Sequence, residues 1–299
     1  MENLLSLAFD NLSSYDGPKI RKGLRQIEGL LANICLSRGG GKRSKERRDS
    51  VMTDSIREDS PTPPSTLLDL TDDPAFYEFF KLQEGFEWNV ALRLVNTLDR
   101  LLARGADGSN DLLIMNALDL TQGILLLHPP SKAIFGREMY MNLLLDLLEP
   151  DFCPAIQSAT LLTIVTALID MPQNTRTFEN LDGLLTVTSL FRSRGTSREV
   201  KLKLVEFLYF YLMPEVPSIP SAAARDSMPG LLQRSPSKLA KAFVGGGSRE
   251  NGGRPRADSD ACEIRSQEEK QALLGRHLNS VEELVKDLQQ STPFGGAVC

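Results

Sequence analysis

Residues 135–169 read FGREMYMNLLLDLLEPDFCPAIQSATLLTIVTALI, and residues 178–212 read FENLDGLLTVTSLFRSRGTSREVKLKLVEFLYFYL. The two stretches are versions of one pattern. A displacement of 43 carries Phe135 onto Phe178, Leu144 onto Val187, Leu147 onto Leu190 and Leu148 onto Phe191. The same displacement carries Leu161 onto Leu204, Leu162 onto Val205, Val165 onto Leu208 and Ile169 onto Leu212. Each copy reads as a short helix, a medium helix, a loop and a long apolar helix. Each long helix is stopped by a proline, Pro172 in the first copy and Pro214 in the second. A period near 40–47 residues marks helical repeats of the HEAT or armadillo kind. A looser third copy precedes them, from about Phe86 to Leu127. The expected fold is all-α: an armadillo/HEAT-like slab with two inserts and a C-terminal helix.

Working outward, the apolar spacing stays helical. Leu5, Ala8, Phe9 and Leu12 predict a first helix, and Ile20, Leu24, Ile27, Leu31 and Ile34 a second that begins after Gly17-Pro18. Trp88, Leu92, Val95, Leu98 and Leu102 mark a third stripe. Leu113, Ala117, Leu120, Ile124 and Leu127 mark a fourth, stopped by Pro129-Pro130. Tyr140, Leu143, Leu144 and Leu147 mark a fifth, stopped by Pro150. Pro154 to Ile169 is apolar nearly all round, as expected of a helix held between others. Thr196 with Glu199 fits a capping box that opens the last helix of the second copy. No stretch alternates in the way a half-buried strand requires.

Composition then divides the chain. Segments 38–66 and 214–262 hold 9 of the 17 prolines and one of the 19 aromatic residues, Phe243. Chain so poor in large apolar groups cannot offset the entropy of ordering it. The expected layout is N-terminal slab helices at 1–37, a basic and Pro-rich insert at 38–66, and helical repeats at 67–213. A Pro/Gly/Ser-rich linker at 214–262, an amphipathic helix at 263–290 and a tail at 291–299 follow. Leu274, Leu278, Val281, Val285 and Leu288 carry that last helix. It reads equally as a cap docked on the slab or as a detached partner-binding helix.

The formal net charge is −5, which argues against a general nucleic-acid binder. The opening Met1-Glu2-Asn3, with Asp10 close behind, does not read as a secretory signal. The apolar run Leu112–Leu127 is interrupted by Asn116, Asp119 and Gln122, so no membrane insertion is expected. Four scattered cysteines, Cys35, Cys153, Cys262 and Cys299, form no disulfide framework and fit a reducing compartment.

The same residues offer little chemistry. A Cys-dependent phosphatase needs an arginine six positions after its cysteine to cradle phosphate. Here those positions are Gly41, Ala159 and Glu268, and Cys299 has none. The two histidines, His128 and His277, lack a surrounding ligand set, so no metal and no cofactor are expected. His128 falls at a helix C-terminus, where an imidazole suits the dipole. Gly39-Gly40-Gly41-Lys42 resembles a nucleotide loop, but Leu36 stands where the first glycine belongs and Arg43 where Ser or Thr belongs. The cluster Arg38, Lys42, Arg43, Lys45, Arg47 and Arg48 reads first as a solvated linker, with a nuclear import signal or an anionic-surface tether as alternatives.

Ser60, Thr62, Ser235 and Thr292 each precede a proline, and Ser50 follows Arg47-Arg48. These are candidate phosphorylation positions, each adding about −1.5 to −2 charge when modified. Arg198, Lys201 and Lys203, on the last repeat helix, are candidate partner contacts.

Met1 to Ser14, then Lys19-Ile20-Arg21-Lys22-Gly23-Leu24-Arg25-Gln26-Ile27-Glu28-Gly29-Leu30-Leu31, resembles the fungal cell division control protein 14 family. This is the septation initiation network component, not the unrelated phosphatase that shares its name. The resemblance continues through Phe178-Glu179-Asn180 and Gly183-Leu184 to Glu206–Leu212. It implies a non-enzymatic protein that associates with a germinal-centre-type protein kinase and supports its activity. It also implies other spindle-pole signalling partners, a cytoplasmic and spindle-pole-body location, and a role in septum formation and cytokinesis. A general armadillo-type adaptor for cargo or nuclear transport is the alternative. Such adaptors line their groove with repeated Trp and Asn, whereas this chain has one Trp, Trp88.

Overall fold

The computed structural model describes residues 1–36, 70, 73–104, 108–215, 264–279 and 281. The described residues are helical and contain no strand. Helix α1 spans Glu2–Leu12, α2 Gly17–Leu36, α3 Pro74–Gln83, α4 Val90–Leu102 and α5 Asp111–Leu127. A 3-10 segment, Pro129–Gly136, leads to α6 at Glu138–Asp146 and α7 at Pro154–Leu168. Then come α8 at Pro172–Asn180, α9 at Gly183–Arg192, α10 at Arg198–Leu212 and α11 at Gln267–Gly275.

Sequence sets these bounds through caps and breakers. The Asp73 carboxylate accepts from the Ala75 amide, and Pro74 fills the first turn of α3. The Asn89 carboxamide oxygen accepts from Leu92 N at 2.9 Å and opens α4. At α10 the cap is Ser197, whose hydroxyl accepts from Val200 N at 3.3 Å. The predicted cap, Thr196, instead donates to the Leu190 carbonyl at 2.7 Å. The box expected from Thr196 and Glu199 is therefore absent, because Thr196 closes the preceding loop. A complete capping box does form at α11, between Ser266 and Glu269.

The long helices pack side by side in the order α2, α5, α7, α10, with α11 against α10. The shorter helices cover one side of this layer: α1 lies on α2 and α4, α4 on α5, and α9 on α10. At the α1–α2 crossing, a Cβ on Gly23 would stand 2.9 Å from the Ala8 carbonyl oxygen, so only glycine permits that approach. The arrangement is compatible with an armadillo-type stack.

The repeat is legible in what is buried. Phe135 and Phe178 are both fully enclosed, as are Leu144 and Val187, and Leu161 and Leu204. Ile169 and Leu212 part company: Leu212 is buried while Ile169 is 39% exposed. The reason is an uneven period. The first helix of the unit starts 43 residues apart in the two copies (129 and 172), the second 45 (138 and 183), and the third 44 (154 and 198). At 44, buried Ile156, Thr160, Thr163, Ile164, Ala167 and Leu168 fall on buried Val200, Leu204, Phe207, Leu208, Tyr211 and Leu212. Adjoining units are also tied by side-chain amides at one end. Asn89 Nδ2 donates to Ser131 Oγ, and Asn174 Nδ2 donates to the carbonyls of Lys132 and Ala167.

No single described helix is long and apolar enough to cross a membrane.

Candidate functional site: the open face of the long helices

α5 and α7 each lie between two long helices, α10 lies between α7 and α11, and α2 ends the row beside α5; shorter helices cover one side. One stripe of each long helix is left facing solvent. On α7 that stripe runs Ala155, Leu162 and Ile169, flanked by half-buried Ala159 and Val165. The positions recur every three, four or seven residues, so they share one face. None of the five is polar. Leu162 is 38% exposed and Ile169 39%. The expectation that α7 is enclosed all round is thus corrected: one narrow apolar strip of it meets water.

The neighbouring stripes differ in character. On α5 the exposed positions are Leu112, Asn116, Asp119 and Leu126. On α10 they include Leu202, Glu206 and Met213, with Tyr209 half-buried among them. On α2 they include Arg21, Lys22, Arg25 and Glu28. Asp119 makes no ion pair among the described residues, and loss of solvation raises its carboxyl above the usual carboxylate range.

Where the α7 and α10 stripes end, a cavity of about 260 Å³ opens between Leu168, Ile169, Met171, Pro172, Phe210 and Met213. Small-molecule sites usually enclose roughly 300–1,000 Å³. This one is sized for an apolar side chain of a polypeptide.

Glu215 and Lys270 close the far wall of the cavity. They belong to a buried ionic cluster that fastens α11 to the stack. Arg176 on α8 pairs with Glu215 and, at 3.4 Å, with Glu179. Arg265 reaches Glu179 at 3.4 Å, and its amide donates to Glu215 Oε2 at 3.1 Å. Lys270 lies 3.2 Å from Glu215, donates to the Met213 carbonyl at 3.0 Å, and stands over the Tyr211 ring. The Tyr211 hydroxyl donates to Glu179 at 2.7 Å. Burial, and then the Glu179 carboxylate, push the Tyr211 phenol far above its ordinary range. Burial pulls the Lys270 ammonium down while Glu215 holds it up. The C-terminal helix, equally readable from sequence as docked or detached, is docked over Gln267–Gly275, with Leu274, Leu278 and Val281 buried.

His128 caps the end of α5, where its position in the sequence places it. It is 1% exposed, its Nδ1 lies 2.8 Å from Ser131 Oγ, and its ring meets Phe80 edge-on. Burial lowers its pKa, and the opposing effect of Glu84 is smaller. Desolvation therefore outweighs the Glu84 carboxylate and favours the neutral imidazole. The unfolded chain takes up this proton near pH 6.5 and the folded chain only at lower pH. Stability from His128 is present above about pH 6.5 and is lost as pH falls toward the folded value. The chain is expected to lose stability, and its melting temperature to fall, as pH drops from 7.5 to 5.5, by at most about 1.4 kcal/mol from this one group. In His128→Gln this slope should flatten; an unchanged slope would assign it to other groups.

The other singled-out residues fall as follows. Arg198 is exposed and Lys201 half-buried, with no ion pair among the described residues. Lys203 pairs with Glu206 at 2.8 Å. Two residues apart on a helix, Lys201 and Lys203 diverge around it, so the structure does not gather the three into one patch. Ser50, Ser60, Thr62, Ser235 and Thr292, the basic cluster 38–48, Cys262 and Cys299 lie outside the described residues. Cys35 and Cys153 are half-buried free thiols, and burial raises that of Cys35. Among the described residues, no three His, Cys, Asp or Glu side chains gather as metal ligands.

Sequence reasoning missed the basic stripe on α2 and the ionic cluster. The first has a sequence signal: Arg21, Lys22 and Arg25 recur at helical spacing between the buried positions Ile20, Leu24 and Ile27. The second has none, since Arg176, Glu215 and Arg265 are brought together across long separations.

Residues 1–294 match the family model described as "Cell division control protein 14, SIN component". "Cell division control protein 14" of Schizosaccharomyces pombe is 26% identical over 295 residues, which span 99% of this chain and 97% of that protein. No solved structure matches. With the family match running through every described helix, the chain belongs to the cell division control protein 14 family of septation initiation network components.

Proposed function

We propose that the chain is a non-catalytic regulatory subunit that holds a germinal-centre-type protein kinase of the septation cascade. The observation that carries this is the solvent-facing apolar strip of α7, Ala155–Leu162–Ile169, which ends at a cavity sized for a side chain. A repeat stack offers such a face as a binding surface for polypeptide. A subunit without chemistry changes a kinase only by binding its active form, or its correctly placed form, more tightly than the others. In this reading the repeats at 67–213, with the helices at 1–37, are the holding surface, completed by the C-terminal segment at 263–290. The inserts 38–66 and 214–262, with the tail at 291–299, carry the candidate phosphorylation positions and tune the association. The place of action is the cytoplasm and the spindle pole body, and the outcome is septum formation and cytokinesis.

The cargo-adaptor alternative needs tryptophan in the groove. Trp88 instead lies half-buried against Phe9, with ring centroids 6.3 Å apart.

The test is co-purification of the full chain with the germinal-centre-type kinase of the same organism. Kinase activity is measured with and without the chain, and septa are counted after depletion. The expected results are a stable complex, a higher phosphorylation rate and loss of septa. A chain that neither binds the kinase nor changes its rate overturns the reading.

A further inference from the structure

The open face is not uniform from one end to the other. At its α2 end, Arg21, Lys22 and Arg25 are exposed beside a single acid, Glu28, and none of the four makes an ion pair among the described residues. The three basic residues sit at i, i+1 and i+4, on the side of α2 opposite buried Ile20, Leu24 and Ile27. The chain then runs from α2 into six more basic residues between 38 and 48. In the middle of the face, α5 presents one acid, Asp119, between Leu112 and Leu126. Beyond it, α7 presents only Ala155, Leu162 and Ile169, and the cavity beside Ile169 and Met213 is lined mainly by apolar side chains.

We infer that this face binds a partner segment of polarised chemistry: acidic residues over Arg21, Lys22 and Arg25, and large apolar residues over Leu162 and Ile169. The inference rests on the kinase-subunit reading only for the identity of the partner, not for the chemistry of the segment. Charge complementarity fixes the direction. Reversed, the segment would press its acids onto the α7 strip, desolvating them without a partner. A donor or neutral residue opposite Asp119 is part of the match. Like-charge contact across an interface is a strong means of excluding wrong partners. The cavity receives the terminal apolar anchor, since fully desolvated pockets concentrate binding energy.

The experiment has two arms, both on the full chain. In the first, random 16-residue peptides displayed on phage are selected on the immobilised protein. The expected consensus is an acidic block followed by two or more large apolar residues. Binding of a selected peptide should fall at least tenfold in Arg21→Glu/Lys22→Glu/Arg25→Glu, with the loss shrinking as salt rises. It should fall at least tenfold in Leu162→Asp with little salt dependence. Leu185→Asp, an exposed position on the covering helix α9, should leave binding unchanged. Circular dichroism confirms that each variant keeps its helices, and a variant that loses them is replaced by Leu162→Ser or Lys22→Gln/Arg25→Gln. No selected peptide, a Lys/Arg-rich consensus, or affinities indifferent to these variants overturns the inference. In the second arm the same variants are tested against the germinal-centre-type kinase. A kinase that fails to bind the unmodified chain overturns the kinase reading, while the peptide arm still decides the chemistry of the face. A kinase that binds all the variants equally overturns the inference and leaves that reading standing.

Discussion

Glu215→Ala is expected to release the C-terminal helix from the stack. Its carboxylate is 7% exposed and faces Arg176, Lys270 and the Arg265 amide at once. Removing it strands the Lys270 ammonium, itself 5% exposed, and half-strands Arg176, which keeps only Glu179. Losing one partner of a buried pair costs about 3–5 kcal/mol, mostly because the other charge is left desolvated. Lys270 can escape by giving up its proton, a direction in which burial already pulls it. Arg176 cannot, because a guanidinium stays charged. The cheapest escape for both is water, which means undocking residues 267–275. Amide hydrogen exchange should therefore rise selectively at Gln267–Gly275 while α4, α5 and α7 keep their protection. Glu215→Ala/Lys270→Met removes the stranded ammonium and should restore part of the protection. If the double variant exchanges as fast as Glu215→Ala, then the lost contact, and not the stranded charge, is responsible.

How much of this was legible in the sequence follows from how far each cause reaches. Helix existence depends on spacing within about ten residues, and Leu5, Ala8, Phe9 and Leu12 specify α1 with all four buried. The repeat was legible for the same reason, because each unit buries the same face against the same neighbours. The exact register was not. A loop can absorb one residue without disturbing the pattern, and the identity of Ile169 does not say whether it ends inside or outside. Pro154–Ile169 looks uniformly apolar, so nothing local distinguishes the strip that faces solvent from those that do not. That distinction is set by which helices flank α7. The ionic cluster lies at the other extreme. Arg176 and Glu215 are separated by 39 positions and read individually as ordinary surface charges. Their burial depends on α11 returning to the stack, which no pattern within α8 or α10 announces.

The largest single loss of stability is expected at Phe178, the second-copy partner of Phe135. Its ring is fully buried, 5.5 Å from Phe207, and it is wedged under the start of α9. There a Cβ on Gly183 would stand 2.4 Å from Phe178 Cε2 and 2.5 Å from Cδ2. Such a separation is far inside van der Waals contact, so one of the two must shift. Phe178→Ala removes the ring from a junction where α8, α9 and α10 meet and should cost about 3–5 kcal/mol. Gly183→Ala keeps the ring and adds one methyl against it, an overpacking expected to cost about 1–3 kcal/mol. The two penalties have opposite origins, a void and a clash over the same few ångströms. Combined, they should cancel in part: Phe178→Ala/Gly183→Ala should be less destabilised than the sum of the single variants by about 1 kcal/mol or more. Urea unfolding of the wild-type chain, the two single variants and the double variant measures this coupling directly. Strict additivity would mean that α9 yields to the added methyl without involving the ring. Phe178 would then be an ordinary core residue, and Gly183 would serve the turn after Asp182, whose φ of 56° already places it in the left-handed region.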